Sequence, residues 1–182
     1  FGVSVAIDGD NVLIGAANDG AGANVGQAYL FDAITGNLLQ TFDDPTPIAN
    51  VFGDKFGFSV AIEGNNVLIG AHADGTNGLN VGQAHLFDLS GNLLQTFDDP
   101  TITVEDQFGY SVAIDGNNLL IGARGDRTNL ATEELGQAHL FDALTGSLLQ
   151  TFDDPTITFG DHFGASVAID GNNVLIGARL DD

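Results

Sequence analysis

The sequence predicts an all-β protein, a β-propeller built of four-stranded antiparallel blades, of which this chain carries about 3.5. Three observations lead there: a repeat of nearly constant length, four strand-like segments inside each repeat, and apolar runs that do not alternate with polar residues.

The repeat is read directly. Phe1-Gly2-Val3-Ser4-Val5-Ala6-Ile7-Asp8-Gly9 returns from Phe56 to Gly64, from Phe108 to Gly116 and from Phe163 to Gly171, with starts 55, 52 and 55 residues apart. The units run 1–55, 56–107 and 108–162, with a partial unit at 163–182. A unit of this size that recurs with little change cannot bury its own apolar face and must stack on its neighbours. Phe1 opens directly on a repeat, which reads as a mature product or a piece of something longer.

The elements follow in a constant order. Val3 to Ile7 and Val12 to Ala16 are apolar runs joined by Asp8-Gly9-Asp10-Asn11, the pattern of a hairpin with a tight turn. A polar loop, Ala17 to Val25, precedes a third strand from Gly26 to Asp32; the turn Ala33-Ile34-Thr35-Gly36 then leads to a fourth, Asn37 to Phe42. The third strand recurs at 82–88 and 136–142, and the fourth at 92–97 and 147–152. Each fourth strand runs into Asp-Asp-Pro-Thr, where proline lacks the N–H that a ladder needs.

A sheet with one wet face alternates, whereas Val12-Leu13-Ile14 and Tyr29-Leu30-Phe31 are continuous. Both faces of each sheet should therefore be covered. Sheets packed face to face around an axis achieve this, and four strands per unit fit a propeller better than a solenoid.

Composition and charge narrow the function. The chain has 25 glycines, 43% hydrophobic residues, no cysteine and no apolar run long enough to span a bilayer as a helix. Four Lys and Arg against 25 Asp and Glu give a formal charge of −21, which repels phosphate backbones and anionic membranes and excludes nucleic acid as a partner. Such a surface favours solubility and cations.

Phe-Gly at the start of the unit, the strand ending Leu-Ile-Gly-Ala, and Gly-Gln-Ala-(Tyr/His)-Leu-Phe-Asp together resemble the FG-GAP repeats of integrin α-subunit heads and secreted bacterial proteins. The resemblance covers essentially the whole chain. It implies a seven-bladed ring whose remaining blades lie outside this sequence, extracellular or cell-surface placement, and recognition or adhesion of a protein or glycan. It also implies calcium, held in loops between the first and second strands.

The residues redirect that last implication. The family's metal loop resembles a long Asp-x-Asp-x-Asp-Gly run, but here the corresponding segments are the short turns at Asp8, Glu63, Asp115 and Asp170. Their Asp, Gly and Asn are the residues that hairpin turns require. The candidate metal ligands are instead Asp19, Asp74 and Asp126, with Asp181 as the fourth copy, each three residues after a Gly-Ala in the second-to-third-strand loop. An Asx-type turn accounts for the same positions. Asp54, Asp106 and Asp161, two residues before each internal Phe-Gly, read as ties that accept backbone N–H groups.

Catalysis is poorly supported. Gly2-Val3-Ser4-Val5-Ala6 and its echoes imitate a nucleophile elbow, but that motif needs a strained strand-to-helix turn and these serines lie inside strands. His85 and His139 take the slot of Tyr29 and read as strand residues near a sheet edge or blade interface, with no His pair at metal-ligand spacing. Arg124-Gly125-Asp126 spells an integrin-binding tripeptide, yet Asp126 is simply the recurring loop aspartate. The surrounding loop, Arg124 to Leu135, is the most divergent copy.

The reading is a non-catalytic recognition, adhesion or structural module, with a glycan-binding propeller as the alternative. One more partner is expected. The last second strand, Asn173-Val174-Leu175-Ile176-Gly177-Ala178, lacks the third strand that covers its counterparts, and an apolar edge of that kind recruits further blades or a neighbouring copy.

Overall fold

A computed structural model describes residues 1–19, 25–47, 53–126, 135–156 and 160–180. Among these, fourteen strands and no helix are found. They form three four-stranded antiparallel sheets and one hairpin, each in simple sequential order.

The first sheet contains β1 (Ser4–Asp8), β2 (Asn11–Ala16), β3 (Gln27–Asp32) and β4 (Leu38–Asp43). The second contains β5 (Ser59–Glu63), β6 (Asn66–Ala71), β7 (Gln83–Asp88) and β8 (Leu93–Asp98). The third contains β9 (Phe108–Asp115), β10 (Asn118–Ala123), β11 (Gln137–Asp142) and β12 (Leu148–Asp153), and the hairpin is β13 (Phe163–Asp170) with β14 (Asn173–Ala178). These are the blades of a propeller. The first strands of successive blades lie against one another, β1 on β5, β5 on β9 and β9 on β13, so the blades converge there.

Local chemistry explains each turn. Asp8 pairs with Asn11, which leaves a two-residue loop whose first residue, Gly9, has φ of 56°, the positive value a type II′ hairpin turn needs. At the β3–β4 turn, Asp32 Oδ1 accepts the N–H groups of Ile34 and Thr35 and the Thr35 hydroxyl, and these bonds hold its carboxyl below the usual range. Asp142 repeats the arrangement with Leu144 and Thr145.

Two cores lie between blades rather than within them. Leu13, Ala28, Leu30 and Phe42 of the first blade meet Phe56, Val60, Ile62, Val67, Ile69 and Phe87 of the second. Leu68, Ala84, Leu86 and Phe97 of the second then meet Phe108, Leu119, Ile121 and Phe141 of the third. Period-two alternation explains how one strand serves both cores: Leu68 faces forward while Val67 and Ile69 face back. This is the physical content of the unbroken apolar runs. Phe56 stacks edge-on against Phe87 at 6.0 Å, and truncating a fully buried aromatic of this kind to alanine costs about 3–5 kcal/mol.

The repeat motif is a blade-joining device. Gly57, at φ 81°, places its carbonyl oxygen against Gly15 of the preceding blade, where any Cβ would overlap it, and the same oxygen accepts the Ser4 hydroxyl at 3.1 Å. Gly109 and Gly164 do the same against Gly70 with Ser59 and Gly122 with Ser111. Gly26, Gly82 and Gly136 each bridge in parallel to the phenylalanine of the next Phe-Gly.

Candidate functional site

The short hairpin turns are already committed to joining blades. Asp8 Oδ2 accepts the N–H of Gly64 at 2.7 Å, Glu63 Oε2 that of Gly116 at 2.6 Å, and Asp115 Oδ2 that of Gly171 at 2.5 Å. A two-residue turn whose carboxylate serves the neighbouring turn does not fit a calcium ion, which takes six to eight oxygens.

The loop aspartates divide. Asp74 and Asp126 are fully buried at blade junctions, whereas Asp19 faces Tyr29, whose hydroxyl donates to Gln27 Oε1 at 2.7 Å. Asp181 lies outside the described residues, as does 127–134 of the divergent loop. Within Arg124-Gly125-Asp126, Gly125 and Asp126 are buried and Arg124 is half-buried, so the aspartate is not displayed at the surface. Arg124 itself lies 3.7 Å over the Tyr110 ring and donates from Nε to Gln107 Oε1.

At the first junction, Asp74 meets two residues that were not singled out as ligands from the sequence. Asp44, the second aspartate of Asp-Asp-Pro-Thr, comes from the end of the first blade, and His85 comes from β7 of the second; their ligand-type atoms lie within 4.8 Å of one another. Asp99, Asp126 and His139 repeat the cluster at the next junction. The topology explains the assembly. Gln83, His85 and Phe87 share the back face of β7, so the imidazole points at the preceding blade, and Pro45 turns the chain so that Asp44 folds over that face.

Hydrogen bonding around the clusters is nearly identical. Asp44 Oδ1 accepts the Thr46 N–H at 2.8 Å, and Thr46 Oγ1 lies 2.9 Å from Gln83 Oε1, 3.3 Å from Asp74 Oδ2 and 3.3 Å from Asp44 Oδ1. Asp74 Oδ1 accepts the Thr76 N–H at 2.7 Å, so the Asx turn and the cluster use different oxygens of one carboxylate. In the second cluster Thr101 Oγ1 lies 2.6 Å from Asp126 Oδ2, 2.9 Å from Asp99 Oδ1 and 3.2 Å from Gln137 Oε1. Each histidine is set by a threonine: His85 Nδ1 is 3.1 Å from Thr96 Oγ1, and His139 Nδ1 is 3.1 Å from Thr151 Oγ1.

Both clusters are acid-rich and buried. Burial, with the charges of Asp74 and Asp54 adding and the Thr46 N–H opposing, pushes the Asp44 carboxyl up to about 7. Burial, with the neighbouring charges of Asp99, Asp106 and Asp153 and against the Thr101 bond, takes Asp126 to about 7. The same burial drives His85 down to about 4 and lowers His139, with Asp98 opposing in the first case and Asp99 and Asp153 in the second.

The histidines are the residues that sequence reasoning passed over. Their signal was present as the co-occurrence of Gly-Gln-Ala-His with a preceding Asp-Asp-Pro-Thr, but the two segments are about 40 residues apart and belong to different blades. The remaining recurrent aspartates are buried ties: Asp106 accepts the N–H and hydroxyl of Thr103, while the backbone carbonyls of Asp54 and Asp106 accept from Ala73 and Gly125.

The strand serines Ser4, Ser59 and Ser111 donate to carbonyls of the next blade. Among the described residues no helix is long and apolar enough to cross a membrane. No curated protein matches the chain. A family model described as FG-GAP repeat matches residues 1–31, 50–87, 103–141 and 157–182, most of the chain, covering the first three strands of each full blade and the hairpin of the last. FG-GAP repeats typically occur in extracellular or cell-surface proteins, as propeller modules that mediate protein interactions and are generally non-catalytic. With four matches in register with its three blades and the final hairpin, the chain belongs to the FG-GAP repeat family.

Proposed function

We propose that this chain is part of a larger, seven-bladed propeller that serves outside the cell as a non-enzymatic recognition or adhesion module. The observation that carries the reading is the use of repeated polar groups to join blades: Ser4, Ser59 and Ser111 bond to carbonyls of the next blade, and Asp8, Glu63 and Asp115 to N–H groups of the next turn. Variation between copies is concentrated in the loops, in the second-to-third-strand segments and in the stretches between Asp-Asp-Pro-Thr and the next Phe-Gly, as expected of a rigid scaffold presenting binding segments.

Exposed apolar faces support further blades or a neighbouring copy as partners. Val5 and Ile7 are 68% and 67% exposed, whereas Val60 and Ile62 on the same face of the second blade are 8% exposed because the first blade covers them. Leu175 is 73% exposed, and among the described residues the far edge of β14, Asn173 to Ala178, has no strand beside it. A blade of the same repeat fits both surfaces.

The glycan alternative needs equivalent pockets with aromatic floors. Phe58 and Tyr110 supply aromatic rings at the third position of their repeats, but Val3 and Ala165 stand there in the other copies. Protein recognition is therefore the better-supported reading. The test is binding of the purified chain to cell surfaces and to extracellular matrix proteins, with a glycan array in parallel. Exchange of segment 124–135 for 72–81 should abolish the interaction; glycan binding that survives the exchange would favour the alternative, and no binding in any format would overturn recognition.

A further inference from the structure

We propose that the two buried clusters are binding sites for a divalent first-row transition ion of the zinc type, each held across a blade junction, one by Asp44, Asp74 and His85 and the other by Asp99, Asp126 and His139. The inference is independent of what the module recognises.

Hydrogen-bond donors are in short supply at the first cluster. Around Thr46 stand three acceptor groups, Asp44, Asp74 and Gln83, and the hydroxyl has a single proton to give them. Gln83 cannot help, since its Nε2 donates outward to Asp98 at 2.6 Å. Asp44 Oδ2 and His85 Nε2 are left buried with no partner, and in the second cluster so are Asp99 Oδ2, Asp126 Oδ1 and His139 Nε2. Buried polar atoms are nearly always satisfied, and five orphans gathered into two equivalent places point to a missing positive charge.

Both imidazoles are oriented by a threonine. With the proton on Nδ1 and donated to Thr96 or Thr151, the lone pair of Nε2 faces the carboxylates. A ligating histidine fixed through its other nitrogen is the usual second-shell arrangement of a metal site. His139 Nε2 and Asp99 Oδ1 are 4.0 Å apart, too far for a hydrogen bond. Two ligands on one ion with bonds of about 2.0–2.2 Å stand roughly 3–4 Å apart.

The donor set selects the ion. One imidazole and two carboxylates, with the Thr hydroxyl or Gln carbonyl at hand, suit zinc, whereas calcium prefers an all-oxygen shell with more ligands. In the first blade Tyr29 occupies the histidine slot and gives its O–H to Gln27 Oε1, so this copy brings no imidazole to the position.

The experiment uses the untagged 182-residue chain, stripped with chelator and titrated with Zn2+, and in parallel with Ca2+. Calorimetry and metal analysis should find one zinc per cluster, with a rise in Tm on zinc addition and no comparable response to calcium. His85→Phe and His139→Phe should each remove one site, and the double variant both. Phenylalanine fills the volume and adds no unpaired polar atom, so these variants should fold. Thr96→Val should weaken the first site by about 10–100-fold while leaving the second unchanged. Side-chain 15N shifts of His85 and His139 should report Nε2 ligation. Unchanged zinc stoichiometry in the double variant, failure of the folded wild-type chain to bind zinc, or preferential binding of calcium would each overturn the proposal.

Discussion

The hydroxyl of Ser59 donates to the carbonyl oxygen of Gly109 at 2.7 Å, across the boundary between the second and third blades. The same oxygen occupies the space that a Cβ on Gly70 would need, with Ser59 Oγ closing the other side. One carbonyl thus explains why the repeat carries glycine in Leu-Ile-Gly-Ala, serine in the first strand, and a positive-φ glycine after phenylalanine.

Gly70→Ala should therefore destabilise the chain by about 1–3 kcal/mol, as expected when a methyl is forced against backbone that cannot move aside. Ser59→Ala should cost less, about 1–2 kcal/mol, because the carbonyl loses a donor without a steric conflict. Urea denaturation of both variants checks the order. Equal or negligible effects would show that the blade contact is looser than described.

The turn-to-turn bonds are exposed and should matter little individually. Glu63→Ala removes the acceptor for the Gly116 N–H and should lower stability by less than about 1 kcal/mol, whereas Glu63→Gln, which keeps an acceptor oxygen, should restore most of it. A loss of several kcal/mol on denaturation of Glu63→Ala would require a different account of that junction.

His72 supplies a pH dependence that can be isolated. Its ring packs against Phe58 and Tyr110, and burial, with the positive charges of Arg124 and Lys55 adding, lowers its pKa to about 4. The unfolded chain takes up this proton near pH 6.5 and the folded chain only near pH 4, so stability is lost as pH falls through that window. The raised carboxyls of Asp44 and Asp126 act in the opposite sense: their contribution is largest below the unfolded value near 4 and is lost as pH rises through about 7. His72→Phe should cancel only the first effect. The stability difference between wild type and variant, measured by denaturation from pH 8 to pH 4, should be flat above about 7 and shift steadily against wild type below about 6.5. A constant difference throughout would rule out a titration of His72.

Burial of Val60 and Ile62 by the first blade sets an expectation for Val5 and Ile7. Replacing both with glutamate should leave the monomer fold intact, because their side chains touch solvent, while reducing self-association of the isolated chain. Analytical ultracentrifugation should show wild type associating at micromolar concentration and the variant monomeric. A wild-type chain that stays monomeric, with amides of 173–178 exchanging quickly, would contradict coverage of either surface by a neighbouring copy.

Much of the fold was legible because it is governed by local chemistry. The hairpin at Gly9, the Asx cap at Asp32 and the stop at Pro45 can each be derived from a few adjacent residues. The continuous runs in the second and third strands announced two covered faces, and period two then decided which residue met which blade. The candidate site was only half legible. Asp74 and Asp126 stood out as repeated loop residues, while Asp44 and Asp99 looked like part of a strand terminator and His85 and His139 like substitutes for Tyr29.

Periodicity therefore dictated the blade, its strand order and the positions of its turns, since these depend on contacts within one repeat or between identical repeats. Only the tertiary structure decided which polar residues share a junction. Asp44 and His85 are 41 positions apart and reach each other because one ends a blade and the other faces backward from the next. That distance depends on how two sheets pack, and the same packing excludes the water that would otherwise separate a carboxylate from an imidazole and leave both indifferent to a metal ion.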